Sequence, residues 1–450
     1  MRLPRQLSLA GLAGLAATAT FALPTEAIEL TRSEVVDRAL ANSYEIVSAE
    51  RRRDVTQARI ADSKPLLASN PYLSFSYWDS TDQTLLGDGR TDEVGPSYTL
   101  SLSQTFEIAG QRGKRIQIAN HNDAVAAANI EGVRRNQIAM VERAFNETLE
   151  AHERATLAYE TLHWQRQLHK AYRNSTETQR NDSLIRISRA ESEHASEKHS
   201  LFLLESRLRR MLDVPEGEPL VLVGDFPDEI VSLPPAEMLI SFALAQRADL
   251  AAHRAAAASD DAFVSLARRN AVPSLTVSGF LSHSQEDDFG DEFQFGGSVS
   301  LPLPVFRTAG PTIDEAVAER ARAHAELADV ERTVAAAVRE AHYACVVAAN
   351  DVERVRRDVL PLARRNVGLQ DAAFDAGKAG IWELVNAETS LIGARREELS
   401  ALRIYANALV DLERVLGASL NEVPLGDAVA TGDPEDTDAA SMADGEKAEE

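Results

Sequence analysis

The stretch PYLSFSYW, residues 71–78, alternates large apolar or aromatic side chains with serine in a chain that otherwise reads as Ala-rich, polar helix. Leu73, Phe75 and Tyr77 fall on one side and Ser74 and Ser76 on the other, the period of two of an extended strand. The pattern recurs. In YTLSLSQTF, Tyr98, Leu100, Leu102 and Phe106 oppose Thr99, Ser101, Ser103 and Thr105. In SLTVSGFLS, Leu275, Val277 and Leu281 oppose Ser274, Thr276, Ser278 and Ser282, and in FQFGGSVSLPL, Phe293, Phe295, Val299, Leu301 and Leu303 oppose Gln294, Ser298 and Ser300. A strand with one apolar and one hydroxyl face suits a membrane barrel whose polar side lines a wet lumen. It also suits a four-stranded sheet laid on helices. The acidic residues between the strands favour the barrel, since they belong in water: Asp79, Asp82, Asp88, Asp92 and Glu93 in one loop, Glu286, Asp287, Asp288, Asp291 and Glu292 in the other. Four strands cannot close a barrel, the smallest membrane barrels need ~8, and lipid does not tolerate an open edge. Several copies must therefore share one barrel, a dimer supplying eight strands and a trimer twelve.

Composition narrows the function. The 450 residues are 44% hydrophobic and 26% charged, enough apolar material for more than one domain. The formal charge of −23 speaks against a grip on nucleic acid, which needs a basic face. The single cysteine, Cys345, lacks zinc-site spacing, the ten histidines are scattered, and no HExxH, GxSxG or Walker loop occurs. The expectation is a protein with no catalytic residues, no metal site and no cofactor. At the N-terminus, MRLPRQ, a small-residue apolar run and PTEA have the order of a Sec signal peptide over residues 1–27, with the mature chain starting near Ile28. An N-terminal membrane anchor is the weaker alternative, because the run is short for a ~20-residue span. No cysteine at the cleavage site offers a lipid anchor, and beyond residue 30 no run of ~18 apolar residues could form a transmembrane helix.

Long helices fill the remainder. No proline lies between Pro96 and Pro215, and neither glycine nor proline between Gly132 and Pro215, so two arms of about 40 to 65 residues, ~60 to 100 Å each, are predicted. Their turn is expected near NSTETQRNDS, residues 174–183. In the second half, Leu402, Leu409 and Leu416 lie seven apart, as do Tyr405 and Leu412, which makes a coiled-coil seam. Upstream Glu388, Arg395 and Glu398 take the equivalent positions, a face expected to meet water or another subunit.

The chain is also duplicated. ALANSYEIVSAERRR…PYLSFSYW is answered by ALAQRADLAAHRAAA…VPSLTVSGFL, with Ala39 opposite Ala243 and Pro71 opposite Pro273. Ala190-Glu191 is matched to Ala387-Glu388, and RRMLD at 209–213 to ERVLG at 413–417. The offset between the halves then changes from 197 to 204, one heptad, which a coiled coil absorbs in phase. The expected organisation is a first repeat over 28–220, with strands near 71–79 and 97–107 and a helical hairpin near 112–213. A second repeat over 221–422 has strands near 273–283 and 292–304 and a hairpin near 312–418. An acidic tail, 423–450, without aromatic residues is expected to be disordered.

With these features, SLSQTFEIAGQRGKRI at the exit of the second strand and AFDAGKAGIWELVNAETSLIGARREEL near the end, the chain resembles the TolC-type outer-membrane efflux family from the mature N-terminus to about residue 422. The resemblance implies a mixed α/β membrane protein. Three protomers would form a twelve-stranded barrel in the outer membrane and a long α-helical tunnel in the periplasm. The homotrimer would dock with a periplasmic adaptor and a proton-driven inner-membrane pump. Gln104 to Arg115 is most similar to the heavy-metal, CzcC-like branch, which puts metal cations ahead of organic compounds. Multidrug efflux or type I protein secretion is the alternative. A periplasmic coiled-coil adaptor or a helical scaffold is more distant, since neither accounts for two hairpins with four lipid-patterned strands.

The resemblance also implies a site. The family's glycine-containing tip turn falls at Gly377-Lys378-Ala379-Gly380, and the carboxylates that narrow the pore at Glu383 and Asn386, one acid kept and one replaced by an amide. The aromatic and basic residues that latch some relatives shut fall at Phe374 and Ala379, so the hydroxyl and the guanidinium are missing. On the first hairpin the repeat matching sets Arg180, Arg186 and Arg189 opposite Gly377, Glu383 and Asn386, which makes Arg186 with Glu383 the expected gate pair. Arg180 and Ser183, with Gly377 to Gly380, are the expected docking turns for adaptor or pump.

Overall fold

The computed structural model describes residues 28–79, 83–85, 91–172, 176–216, 218, 220–227, 229–286 and 290–424. The signal-peptide expectation for 1–27, the tail from 425 onward and the loop acids Asp82, Asp88, Asp287 and Asp288 lie outside them. The first half runs β1 (Ile28–Thr31), α1 (Arg32–Ala41), α2 (Tyr44–Ser63), β2 (Tyr72–Trp78), β3 (Gln83–Leu85), β4 (Thr91–Phe106), α3 (Gln111–Ala171) and α4 (Glu177–Leu212). The second runs β5 (Leu220–Val223), α5 (Ala236–Gln246), α6 (Ala248–Asn270), β6 (Leu275–Glu286), β7 (Gly290–Ser300), α7 (Gly310–Arg354), α8 (Leu360–Asp375) and α9 (Ile381–Leu416). Between α7 and α8 a single π turn, Val355–Val359, precedes Pro361. The proline has no N–H to give the helix ladder, and the wider turn takes up the defect without breaking the rod.

The four alternating strands form one antiparallel sheet in the order β2-β4-β6-β7, with β3 added on β4. The register aligns like with like. Leu73 faces Leu102, Phe75 faces Leu100 and Tyr77 faces Tyr98, and Leu100 in turn faces Leu281, which faces Phe295. On the other side Ser74 faces Ser101 and Ser103 faces Ser278, with hydroxyl pairs Thr105 to Thr276 at 2.9 Å and Ser278 to Ser298 at 2.8 Å. The apolar side is bare within the protomer: Phe75 is 66% exposed and Phe295 90%. Among the described residues no helix packs on it, as the sheet-on-helices alternative would require. Two strand limits need correction. β4 begins at Thr91 rather than near 97, and β7 stops at Ser300, leaving Leu301 and Leu303 outside it. Pro302 and Pro304 cannot donate to the ladder there.

One core cluster sits where the two repeats meet, and a second lies within the second repeat. Val35 and Ala39 of α1, Val141 and Phe145 of α3, Leu208 and Leu212 of α4 and Leu402 and Tyr405 of α9 form one apolar cluster. Leu239 and Ala243 of α5, Val338 of α7 and Leu412 and Leu416 of α9 form a second. The leucine seam of α9 is thus the shared spine of both. Val423 is buried in the second cluster, so the packed chain extends past the expected tail boundary. The parallel pair β1–β5, Ile28 facing Leu220, was not foreseen and ties the start of one repeat to the start of the other.

The repeat register also needs correction. α4 and α9 each span 36 residues and start and end 204 positions apart. At that offset buried residues coincide: Ser183 with Ala387, Ala190 with Ala394, Leu208 with Leu412 and Leu212 with Leu416. Both helices end on a left-handed residue, Asp213 at φ 51° and Gly417 at φ 75°. No heptad slip exists between the halves, so the equivalent of Glu383 is Gln179, not Arg186.

Candidate functional site at the hairpin tips

The second tip is built by the helix end itself. After α8, Gly377 adopts φ 68°, Lys378 N–H donates to the Ala373 carbonyl at 2.8 Å, and Gly377 N–H donates to that of Phe374 at 2.9 Å. That is a Schellman ending, which glycine makes without the steric cost of a Cβ. Gly380 opens α9, and Glu383 stands at its third helical position, where the helix dipole favours a carboxylate. The Glu383 carboxylate folds back over Gly380; a Cβ there would lie 2.8 Å from Oε2. Asn386 is exposed one turn on, Lys378 is exposed, Ala379 is half-buried, and Phe374 is half-buried in the last turn of α8.

The first tip is shorter than expected. Thr176 and Gln179 form a capping box that starts α4 at Glu177, so Arg180 and Ser183 are helical residues, not turn residues. Arg180 and Arg189 are exposed. Ser183 is buried, its hydroxyl donating to the Arg180 carbonyl at 2.7 Å and lying 2.6 Å from His169 Nδ1, which removes it from any docking surface.

Arg186 makes a different contact from the one expected. Its Nη2 donates to the Tyr172 hydroxyl at 2.9 Å, and its guanidinium lies 5.6 Å from the ring centres of both Tyr172 and Trp382. Among the described residues it forms no ion pair with Glu383, whose neighbour Trp382 takes the contact instead. Nε of Arg186 is buried without a hydrogen-bond partner, so two aromatic faces and one hydroxyl hold the group. Sequence reading passed over Tyr172 and Trp382, although an aromatic residue at each tip was the available signal. Two of the charged positions upstream of the leucine seam also find partners within the protomer. Arg395 meets Glu160 of α3 at 3.4 Å and Glu398 meets Arg356 at 3.2 Å. Burial raises the carboxyl pKa of Glu388, which is half-buried.

Burial pushes the Cys345 thiol up to about 12, which leaves it inert. Among the described residues no group of three histidine, cysteine or acidic side chains could hold a metal ion, and no helix is long and apolar enough to cross a membrane.

The sequence profile of the family described as outer membrane efflux protein matches residues 35–198 and 239–418, both repeats. The chain belongs to the outer membrane efflux protein family. It is accordingly an outer-membrane channel of the efflux type and not an enzyme. Among curated relatives, the cobalt-zinc-cadmium resistance protein CzcC of Cupriavidus metallidurans is 24% identical over 398 residues, covering 86% of this chain and 90% of the relative. The fold is shared with solved channels of this type. A structure of CusC superposes with a TM-score of 0.71 at 17% identity, over 93% of this chain and 97% of that one. The Campylobacter jejuni CmeC outer membrane channel gives 0.70 at 16% identity, over 86% and 85%. The open-state MtrE channel of Neisseria gonorrhoeae gives 0.70 at 19%, over 86% and 89%.

Proposed function

We propose that three copies of this chain close one twelve-stranded barrel in the outer membrane and continue as a helical tunnel. The trimer is the exit duct of a tripartite pump, receiving substrate from a periplasmic adaptor and a proton-driven inner-membrane transporter. The bare apolar face of the β2-β4-β6-β7 sheet carries this reading, because water cannot be its solvent and its two outer strands need partners. Metal cations are the proposed cargo, supported by the similarity to a cobalt-zinc-cadmium resistance protein. The Gly377 to Gly380 turn, with Arg180 on the facing helix, is the proposed docking tip. Glu383, Asn386 and Phe374 surround the proposed pore mouth, where three copies of Glu383 about one axis favour cations over anions at short range. Arg186, stacked between Tyr172 and Trp382, fastens the first hairpin to the second and replaces the ion pair with Glu383 as the closure contact; Arg189 stays in solvent. Deleting the gene from its host tests the cargo. Loss of tolerance to cobalt, zinc and cadmium, restored by the wild-type chain, supports metal efflux, and a defect confined to organic compounds assigns the channel to those instead.

A further inference from the structure

One large apolar residue stands mid-strand on the hydroxyl side of the sheet. Phe280 of β6 faces Ser101 of β4 and Gly296 of β7, and its side lies between Ser278 and Ser282 along the strand. The ring lies over Gly296, where a Cβ would come within 2.6 Å of two ring carbons, so the glycine makes room for it. Its exposure of 41% leaves a face open to whatever fills that side of the sheet. Glu292, exposed and on the same side of β7, stands four residues away, ~13 Å along the strand. A carboxylate and an aromatic face in that order along one wall suit a cation with an apolar body. The charge is drawn by the acid, and the body or the charge lies against the ring. A hydrated metal ion has no use for the ring.

We infer that Phe280, with Gly296 beneath it, is a contact site for organic cations on the lumenal wall of the barrel. The inference rests on the barrel reading above. In a twelve-stranded barrel facing backbones are about 20 to 25 Å apart, so one ring per protomer decorates the passage without closing it. The site therefore slows or selects a passing organic cation and leaves small hydrated ions untouched.

The test uses the full-length protein in planar bilayers, with tetraphenylphosphonium as the probe and potassium and cobalt currents as references. Phe280→Leu keeps the bulk and removes the aromatic face; Phe280→Ala removes both. Each should weaken block by tetraphenylphosphonium by about two- to five-fold, the range for a cation on an exposed ring. Gly296→Ala should act in the same direction by displacing the ring, and Ser298→Ala should leave the block unchanged. Potassium and cobalt currents should be the same in all variants. Wild-type block retained in Phe280→Leu, in channels that conduct normally, overturns this inference alone. Wild-type protein that forms no conducting channel overturns the barrel reading and the contact site with it.

Discussion

At the tip, the charge of Arg186 matters less than its shape. A planar guanidinium can stack on two rings at once and donate to a hydroxyl; an ammonium cannot. Arg186→Ala should therefore cost the closed tip about 1 to 2 kcal/mol, from a half-exposed cation–π contact with each of Tyr172 and Trp382 and one hydrogen bond. Single-channel recording should show a higher open fraction, and Arg186→Lys should recover only part of closure. A double-mutant cycle separates the two candidate partners. Arg186 with Trp382 should show coupling, whereas Arg186→Glu with Glu383→Arg should combine additively, because those two side chains do not meet. Additivity with Trp382→Ala would remove the stacked contact from the gate. Glu383 was placed at the tip by the family resemblance alone, and its place at the start of α9 came from the structure. The choice between Arg186 and Gln179 as its repeat equivalent depended on the offset between the halves, and sequence alone left that ambiguous.

At the scale of elements, the reason for that ambiguity is the heptad. Offsets of 197 and 204 differ by seven, so both keep the apolar seam of α9 in phase with that of α4. A two-residue identity, Ala190-Glu191 with Ala387-Glu388, could then outvote the correct match of Ala190 with Ala394. Helix ends break the tie, since the capping box at Thr176 and the left-handed residues Asp213 and Gly417 are fixed points that a seam does not supply. Strands carry a similar degeneracy at two residues. A one-residue slip would exchange their two faces, so the serine alternation specified the side of each residue, while the pairing register came only from the structure. What it concealed was the exception. Phe280 continues the alternation by position and violates it by chemistry, and its pairing with Ser101 and Gly296 sets it on the hydroxyl side. The two sides can be tested directly. Val277→Arg lies on the apolar side and should cost ~2 to 4 kcal/mol near the bilayer midplane, visible as lost assembly in outer membranes. Ser278→Arg, its neighbour, should assemble normally, and equal damage from both would reverse or abolish the facing.

For the whole molecule, the strand order leaves β2 and β7 as the outer members of the sheet, each with one side of its backbone open among the described residues. In water such edges invite aggregation, and in lipid their unpaired N–H and C=O groups cost several kcal/mol each, so in the proposed shared barrel β7 of one protomer joins β2 of the next. Covalent capture can count the subunits. The buried Cys345, with its thiol pushed up by burial, contributes little background, so cysteines introduced at the edges report on neighbours alone. Ser74 of β2 and Ser298 of β7 both point to the hydroxyl side and are separated within one protomer by two intervening strands, too far for an internal disulfide. A panel pairing Ser74→Cys or Ser76→Cys with Ser298→Cys or Ser300→Cys spans the registers an edge-to-edge joint can adopt. Under mild oxidation in membranes one pairing should yield covalent dimers and trimers on a denaturing gel, with the ladder ending at three chains and neither single cysteine producing the trimer. A ladder ending at two would make the barrel eight-stranded and halve the pore, and the absence of any ladder across the panel would mean that the edges are satisfied in some other way and that the shared barrel is wrong.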